Sequence, residues 1–268
     1  MAEVNIAGLG VWSQNFADWP AFRTGLKTGE WSTDVALQPA LISPRQRRRM
    51  PQLVKMAIEV MDQACTMASL KPDDVAVVFS SSMGDMQITD YMCRTLATAP
   101  ELISPTHFHN SVHNAAPGYW SITTGSFAPT TAVSAHEFTP TMAFLEAAIQ
   151  VIEENTPVVL VTQEIAAPLP LKDICASLHP FSAALLMTPP GYGIPIACSL
   201  EFSVSEQAES WPELHPALRD DFATNTGARI LPLLTAIAGS TQPVDLSFPV
   251  SESSSLLLSL NPYCRKVK

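Results

Sequence analysis

The sequence predicts a layered α/β fold in which a sheet lies between helices. Short apolar runs that end at glycine or small polar residues alternate with segments whose apolar residues recur at helical spacing. This alternation of strand and helix signals is typical of an α/β layered fold. The chain has 268 residues, of which 47% are hydrophobic and 15% charged, so it can bury a substantial core.

The amino-terminal part carries three of these signals. Val4 to Leu9 is a short apolar run ended by Gly10, which predicts a buried first strand. Residues 51–69 are predicted as an amphipathic helix, because apolar residues recur there at helical spacing: Leu53, Ala57, Val60, Met61 and Ala64. Val75 to Phe79 is apolar and β-branched and precedes the small-residue segment 80–84, which predicts a strand followed by a turn.

A second strand, turn and helix unit follows. Thr139 is a suitable cap for a helix that starts at Pro140, so a helix is predicted over residues 140–154. Val158 to Val161 is a continuous apolar run, which is typical of a central parallel strand covered on both faces. Phe181 to Met187 is predicted as a further strand.

The pattern weakens after the prolines and glycines of residues 189–193. A helix over residues 228–238, interrupted by Pro232, and a terminal strand from Leu256 to Leu260 are predicted there.

Composition limits the function classes. A net charge of −10 argues against a nucleic-acid partner, because binding phosphates needs an excess of Lys and Arg. No apolar stretch approaches the roughly 18 residues of a membrane span, and we expect a cytoplasmic protein. The cysteines are scattered and odd in number, which fits reduced, mostly buried thiols: Cys65, Cys93, Cys175, Cys198 and Cys264.

One basic cluster stands against this acidic background, formed by Arg45, Arg47, Arg48 and Arg49. Four guanidinium groups so close together suit a phosphopantetheine phosphate or a carboxylate-rich surface. The alternative is a solvated helix start before Pro51, which is the more common role of a charge run.

The segment from Ile103 to Pro129, ISPTHFHNSVHNAAPGYWSITTGSFAP, carries a family resemblance. It resembles the part of β-ketoacyl synthases that begins with Ile-Ser-Pro and leads to the nucleophile turn, with Asn114 and Gly118 at the family's Asn and Gly. Four further segments are similar to the family and occur in family order: IAGLGVWS, SPRQRRRMP, VAVVFSSSMGD, and TTAVSAHEFTPTMAFLEAAIQVIEENTPVVLVTQE.

The resemblance covers residues 4–188. It implies a thiolase-like layered α/β/α fold that is truncated and consists mainly of the N-terminal ketosynthase half. We expect one ketosynthase-like domain over residues 1–268, in which residues 189–268 are a divergent C-terminal extension.

The expected nucleophile is missing. The family attacks acyl thioesters with a cysteine, because a thiolate is nucleophilic near neutral pH. Here no cysteine lies between Cys93 and Cys175. Aligning the predicted helix places Ala135 at the nucleophile position, and counting from Gly125 without a gap places Glu137 there. His179 and His215 lack the sequence context of the family's two catalytic histidines. The chain is therefore expected not to be an enzyme.

Inactive members of this family are chain length factors, which pair with an active β-ketoacyl synthase and shape its acyl tunnel. The segment HNSVHNAAPGYW most resembles the chain length factors of bacterial aryl-polyene type II polyketide synthases. The resemblance implies an active synthase as partner, transient contact with acyl carrier protein, and no cofactor. The residues implied at the partner interface and tunnel are His107, Phe108, Ile88, Thr89, Met92 and Asn114.

Three other interpretations remain open. Ser134 with His136 suggests a serine-dependent acyltransferase or thioesterase, although the Gly-x-Ser-x-Gly motif is absent. His107, His109, His113 and His136 suggest a metal site, but packed or hydrogen-bonded histidines are more common. Met83, Met86 and Met92 are typical of plain core, although thioethers also suit an acyl channel.

Overall fold

The computed structural model describes residues 1–172 and 177–263. Eight strands of these residues form one mixed sheet in the order β3-β2-β4-β5-β1-β6-β8-β7. The strands are β1 (Ala2–Ser13), β2 (Ala76–Ser80), β3 (Thr130–Val133), β4 (Val158–Glu164), β5 (Phe181–Thr188), β6 (Cys198–Ser205), β7 (Val244–Pro249) and β8 (Ser255–Pro262).

The α-helices of the described residues are α1 (Trp19–Thr28), α2 (Pro44–Arg47), α3 (Gln52–Ala68), α4 (Met86–Thr98), α5 (Pro105–Asn110), α6 (Ala115–Thr124), α7 (Thr139–Glu154), α8 (Pro216–Phe222) and α9 (Leu231–Gly239). Short 3₁₀ turns precede α7 at His136–Phe138 and α9 at Gly227–Ile230. The strand pairs β2/β3 and β2/β4 are parallel, and all other neighbours are antiparallel.

Two hydrophobic cores lie on opposite faces of the sheet. Successive side chains of a strand point to opposite faces, so Val158 and Leu160 of β4 enter one core and Val159 and Val161 enter the other. Helix α7 packs in the first core and α3 in the second. This arrangement confirms the predicted α/β/α layers.

The first strand is longer than predicted and continues through Gly10. A Cβ at Gly10 would lie 2.0 Å from the carbonyl oxygen of Val60, and a Cβ at Gly8 would lie equally close to that of Ala64. Both carbonyls belong to α3. These glycines therefore permit close packing of α3 on β1, and the expectation that Gly10 ends the strand is wrong.

Two predicted helix starts need correction. Thr139 is the first residue of α7 and its hydroxyl does not cap the helix; Phe138 occupies the cap position without a side-chain bond. Pro232 does not interrupt the C-terminal helix but lies in the first turn of α9. A proline is tolerated there because the N–H groups of the first turn have no partner within the helix.

Residues 189–263, called the C-terminal extension below, add three strands beyond β1. Cys198, Leu200 and Phe202 of β6 face the first core together with Leu256, Leu258 and Leu260 of β8. The residues between them, such as Ser199 and Glu201, are half-buried. These strands are therefore covered on one face only, unlike β4 and β5, which are buried throughout.

Three of the five cysteines lie in the described part of the chain. Cys65 and Cys198 are buried and Cys93 is exposed, and all three are free. Cys175 and Cys264 lie outside the described residues.

Candidate functional site

The strand-to-helix turn between β3 and α7 contains Ala135, as the sequence predicts. The backbone of His136 is left-handed, with φ of 51°. The Ala135 N–H donates to Thr139 Oγ1 at 2.9 Å, and that hydroxyl donates to the His136 carbonyl at 2.6 Å. The Thr139 side chain thereby fixes the turn on the first residue of α7.

Glu137, in the same turn, is bound to the C-terminal extension. Its carboxylate accepts a 3.0 Å hydrogen bond from Arg229 Nη1. The guanidinium of Arg229 also lies 4.3 Å from the centre of the Trp211 ring, and that ring stacks on Phe138 with the ring centres 6.5 Å apart. The ion pair and the stacked rings thus hold residues from the extension against this turn, and the cation-π contact joins Arg229 to Trp211 within the extension.

A buried carboxylate lies beneath the neighbouring loop. Glu164, at the end of β4, is 2% exposed and accepts hydrogen bonds from the Ser81 hydroxyl at 3.0 Å and from the Ser82 N–H. Burial raises the pKa of Glu164 to about 7, although the bonds from Ser82, Ser81 and the Met83 N–H oppose the shift. This carboxylate therefore fixes the loop that leads from β2 into α4.

The loop between β2 and α4 also contacts the turn between β3 and α7. The hydroxyl of Ser134 donates to the Ser82 carbonyl at 3.0 Å, and His113 Nε2 lies 2.8 Å from the Ser81 carbonyl. Within the described residues, no hydrogen bond joins Ser134 to His136. The arrangement needed for a serine nucleophile activated by this histidine is not formed.

The six residues implied at the interface and tunnel occupy α4, α5 and the start of α6. Phe108 is 64% exposed and Ile88 is 5% exposed. Thr89, His107 and Asn114 are exposed, and Met92 is half-buried. Ile88 therefore packs within this chain, whereas Phe108 is free to contact another molecule.

Part of the arginine cluster lines a cleft with two of these residues. The cleft encloses about 370 Å³, and its walls include Arg48, Arg49, Asp85, Ile88 and His107. Arg45, Arg48 and Arg49 are exposed, while Arg47 donates from Nε to the Ile42 carbonyl at 2.8 Å. Burial raises the pKa of Asp85, which caps α4 by accepting the Ile88 N–H at 3.1 Å.

The four histidines of the metal hypothesis have separate surroundings. His107 packs against Tyr91 in a tilted arrangement with the ring centres 4.1 Å apart, and His109 meets the edge of Tyr119. His113 packs against Phe79, and His136 lies in the turn before α7. In the part of the chain that the structure describes, no three His, Cys, Asp or Glu side chains form a metal-binding group.

The methionines considered for an acyl channel differ in burial. Met86 is buried in the second core, whereas Met83 is 43% exposed.

The sheet is only partly covered at its β3 edge. Among the described strands, β3 pairs with β2 alone and is half-buried, whereas β2 and β4 are buried throughout. Large apolar side chains are exposed around this edge and along the outer side of α7: Ile122, Phe127, Met142, Ile149 and Ile152. Gln150 of α7 reaches Thr131 of β3 at 3.1 Å, which joins helix and strand into one surface.

Sequence reasoning did not identify Glu164, Arg229 or Trp211. The polar end of the strand segment VVLVTQE was a signal for Glu164, since polar groups at the end of a buried strand need partners. Nothing in the local sequence marks Arg229, because its partner Glu137 is 92 residues away.

Comparison with known proteins assigns the family. A model of the β-ketoacyl synthase N-terminal domain matches residues 18–230. The chain belongs to the β-ketoacyl synthase family. This membership confirms the predicted thiolase-like ketosynthase fold, and the matched residues correspond to the family's N-terminal domain. No curated protein matches the chain.

Solved ketosynthase assemblies have the same fold. The ketosynthase ApeO in complex with its chain length factor ApeC, from Xenorhabdus doucetiae, is similar with a TM-score of 0.70 and 20% identity over 97% of this chain and 100% of that chain. The ishigamide ketosynthase/chain length factor has a TM-score of 0.74 and 13% sequence identity, and the match covers 98% of this chain and 100% of that chain.

A third similar structure contains an acyl carrier protein. It is AntDE:AntF, a type II polyketide synthase acyl-carrier protein in complex with its ketosynthase bound to the hexaketide, with a TM-score of 0.74 and 13% identity over 98% of this chain and 99% of that chain. None of the helices that the structure describes in this ketosynthase-family chain combines the length and the apolar character of a membrane span.

Proposed function

We propose that residues 1–268 form one ketosynthase-like domain that acts as a cytoplasmic, non-catalytic chain length factor. It pairs with an active β-ketoacyl synthase, contributes side chains to the acyl tunnel, and meets the acyl carrier protein transiently. The sequence resemblance favours aryl-polyene biosynthesis as the pathway class.

The observation that carries this proposal is the uncovered β3 edge. An unpaired strand edge offers free N–H and C=O groups to another chain. The exposed side chains beside it are large and apolar, with Phe127 fully exposed and Ile122 78% exposed. Large apolar side chains exposed beside a free strand edge are typical of a protein interface.

The second apolar side of α7 supports the same conclusion. Ala143, Phe144, Ala147, Ala148 and Val151 bury one side of this helix in the first core. Met142, Ile149 and Ile152, on the other side, are 38%, 52% and 38% exposed. A helix that is apolar on two sides is suited to packing between two layers.

The chemistry belongs to the partner in this proposal. The turn that corresponds to the nucleophile site carries Ser134, Ala135, His136 and Glu137 and no thiol. Glu137 is paired with Arg229, and the Ser134 hydroxyl is bound to a backbone carbonyl. These interactions favour a structural role for the turn over the alternative of a serine-dependent acyltransferase or thioesterase.

Co-expression with the cognate synthase tests the pairing. We expect the two chains to co-purify, and we expect Phe127→Asp and Ile149→Asp to abolish the complex, because a charge placed in an apolar interface is left without a partner. Val204→Asp is the matched control, since Val204 is 56% exposed on β6, which is separated from β3 in the sheet.

Activity measurements test the non-catalytic role. The complex should condense acyl and malonyl thioesters, and replacing the partner's nucleophilic cysteine should abolish this activity. The purified chain should neither condense nor hydrolyse acyl thioesters. A complex that survives both interface substitutions, or an acyl-serine at Ser134, would refute the proposal.

A further inference from the structure

A cavity of about 340 Å³ opens within the C-terminal extension, between residues 211–214 and α8, next to the turn before α7. Its size lies within the range of small-molecule sites. Apolar groups form most of its wall: Trp211, Pro212, Leu214, Phe222 and Ala223. The proposed pairing with a synthase makes no use of this cavity.

The polar part of the wall presents two guanidinium groups, those of Arg219 and Arg229, and the carboxylate of Glu213. Arg229 is held in place by Glu137 and by the face of Trp211, and its side chain is 28% exposed. Arg219 is bound to Glu213 at 3.0 Å, but the Glu213 side chain is 88% exposed. Such an exposed ion pair contributes little free energy and exchanges readily with another anion.

Both guanidinium groups retain donors for a ligand. Arginine carries five N–H donors in a planar arrangement that suits a carboxylate. Within the described ranges, Arg219 donates only to Glu213 and Arg229 only to Glu137. An anion in the cavity can therefore accept hydrogen bonds from either arginine without breaking the fold.

We propose that this cavity binds a small organic acid, whose carboxylate lies on Arg219 and Arg229 and whose hydrocarbon part lies against Trp211, Leu214 and Phe222. The apolar wall gives affinity by removing hydrocarbon from water. The two arginines select a carboxylate over a neutral or cationic group of the same length.

The position of Glu137 gives the proposal a specific consequence. Its carboxylate is already paired with Arg229, on the side of the turn before α7. It therefore competes with a bound acid for the same guanidinium. Removing the charge of Glu137 is therefore expected to strengthen binding, which a merely structural defect would not do. All of the groups involved belong to this chain, and the inference does not depend on the proposed pairing.

Isothermal titration calorimetry of the full chain with octanoate at low salt tests the site. We expect saturable binding at one site, and we expect no binding of octylamine. Arg219→Gln should weaken binding about tenfold, because it removes a hydrogen bond to a charged group. Glu137→Gln should tighten binding several-fold.

Two further variants separate this cavity from other apolar surface. Ala223→Phe fills the cavity at an exposed position and should abolish binding without changing any charge. Arg23→Gln, at an exposed position of α1, is the control and should leave binding unchanged. Octanoate that fails to bind, or that binds equally to wild type and to the Arg219, Glu137 and Ala223 variants, would overturn the proposal.

Discussion

The Ser81 hydroxyl donates a 3.0 Å hydrogen bond to Glu164, joining the loop after β2 to a carboxylate buried at the end of β4. The Ser82 N–H donates to the same carboxylate. The loop continues into α4, which carries Ile88, Thr89 and Met92. The position of α4 is therefore linked to a group whose pKa is raised to about 7.

Glu164 is expected to make stability depend on pH. Because burial raises its pKa from 4.5 to about 7 in the folded state, the folded state holds the proton more tightly than the unfolded state over that interval. The free energy of unfolding therefore falls as pH rises, by about 2 kcal/mol between about pH 5 and about pH 7.5. Urea unfolding of wild type and Glu164→Gln measures this difference.

The wild-type chain should lose this stability relative to Glu164→Gln as pH rises, and the difference should level off above the folded-state pKa. Glu30→Gln, at an exposed position, is the control and should follow wild type. A constant difference between wild type and Glu164→Gln across this range would contradict the prediction.

Gly10→Ala should destabilise the fold by about 1–3 kcal/mol, because the added Cβ meets the Val60 backbone of α3 and forces helix and strand apart. Gly118→Ala on α6 is the contrasting change. Apart from the adjacent residues and the backbone of its own helix, an added Cβ at Gly118 would have no described atom within 4 Å, and alanine favours a helix. Thermal unfolding of both variants is the measurement. Equal losses of stability in the two would argue against close α3–β1 packing as the role of Gly10.

Alkylation should distinguish the described thiols. Burial raises the pKa of both Cys65 and Cys198 to about 12, so almost no thiolate forms near neutral pH. Cys93 is exposed. Peptide mapping after iodoacetamide treatment should find Cys93 modified well before Cys65 and Cys198, with Cys93→Ser as the control. Faster modification of a buried thiol would contradict this order.

Phe108→Ala should change the length of the product made by the proposed complex without abolishing condensation. The side chain is 64% exposed on α5 and is available to a tunnel formed with the partner. Mass spectrometry of products from the reconstituted complex is the measurement. Leu257→Ala, on β8 at the other end of the sheet, is the control. A triple alanine variant of His107, Phe108 and Met92 tests the same role. If it assembles normally and its products are unchanged, these residues do not shape the tunnel.

Regular elements were predictable from the sequence because their signals are local. The periodic apolar residues of segment 51–69 gave α3 at Gln52–Ala68, and the run Val75 to Phe79 gave β2 at Ala76–Ser80. The predicted strand-to-helix turn at Ala135 also formed, between Thr130–Val133 and Thr139–Glu154. Helical spacing and continuous apolar runs reflect burial on one side or both, which each segment encodes by itself.

Errors arose where a residue acts through a distant neighbour. Gly10 was interpreted as a strand end, although its lack of a side chain serves the contact with Val60 on α3. Pro232 was interpreted as an interruption because the start of α9 depends on the preceding 3₁₀ turn.

The sequence by itself determined the family, the order of the main elements and the lack of a cysteine between Cys93 and Cys175. Only the tertiary structure decided that Glu137 pairs with Arg229, that Glu164 is buried beneath Ser81, and that the β3 edge is left uncovered. Local propensity and periodicity depend on neighbours along the chain. Ion pairs, desolvation and exposed edges depend on which distant segments the fold brings together, and no periodic pattern records them.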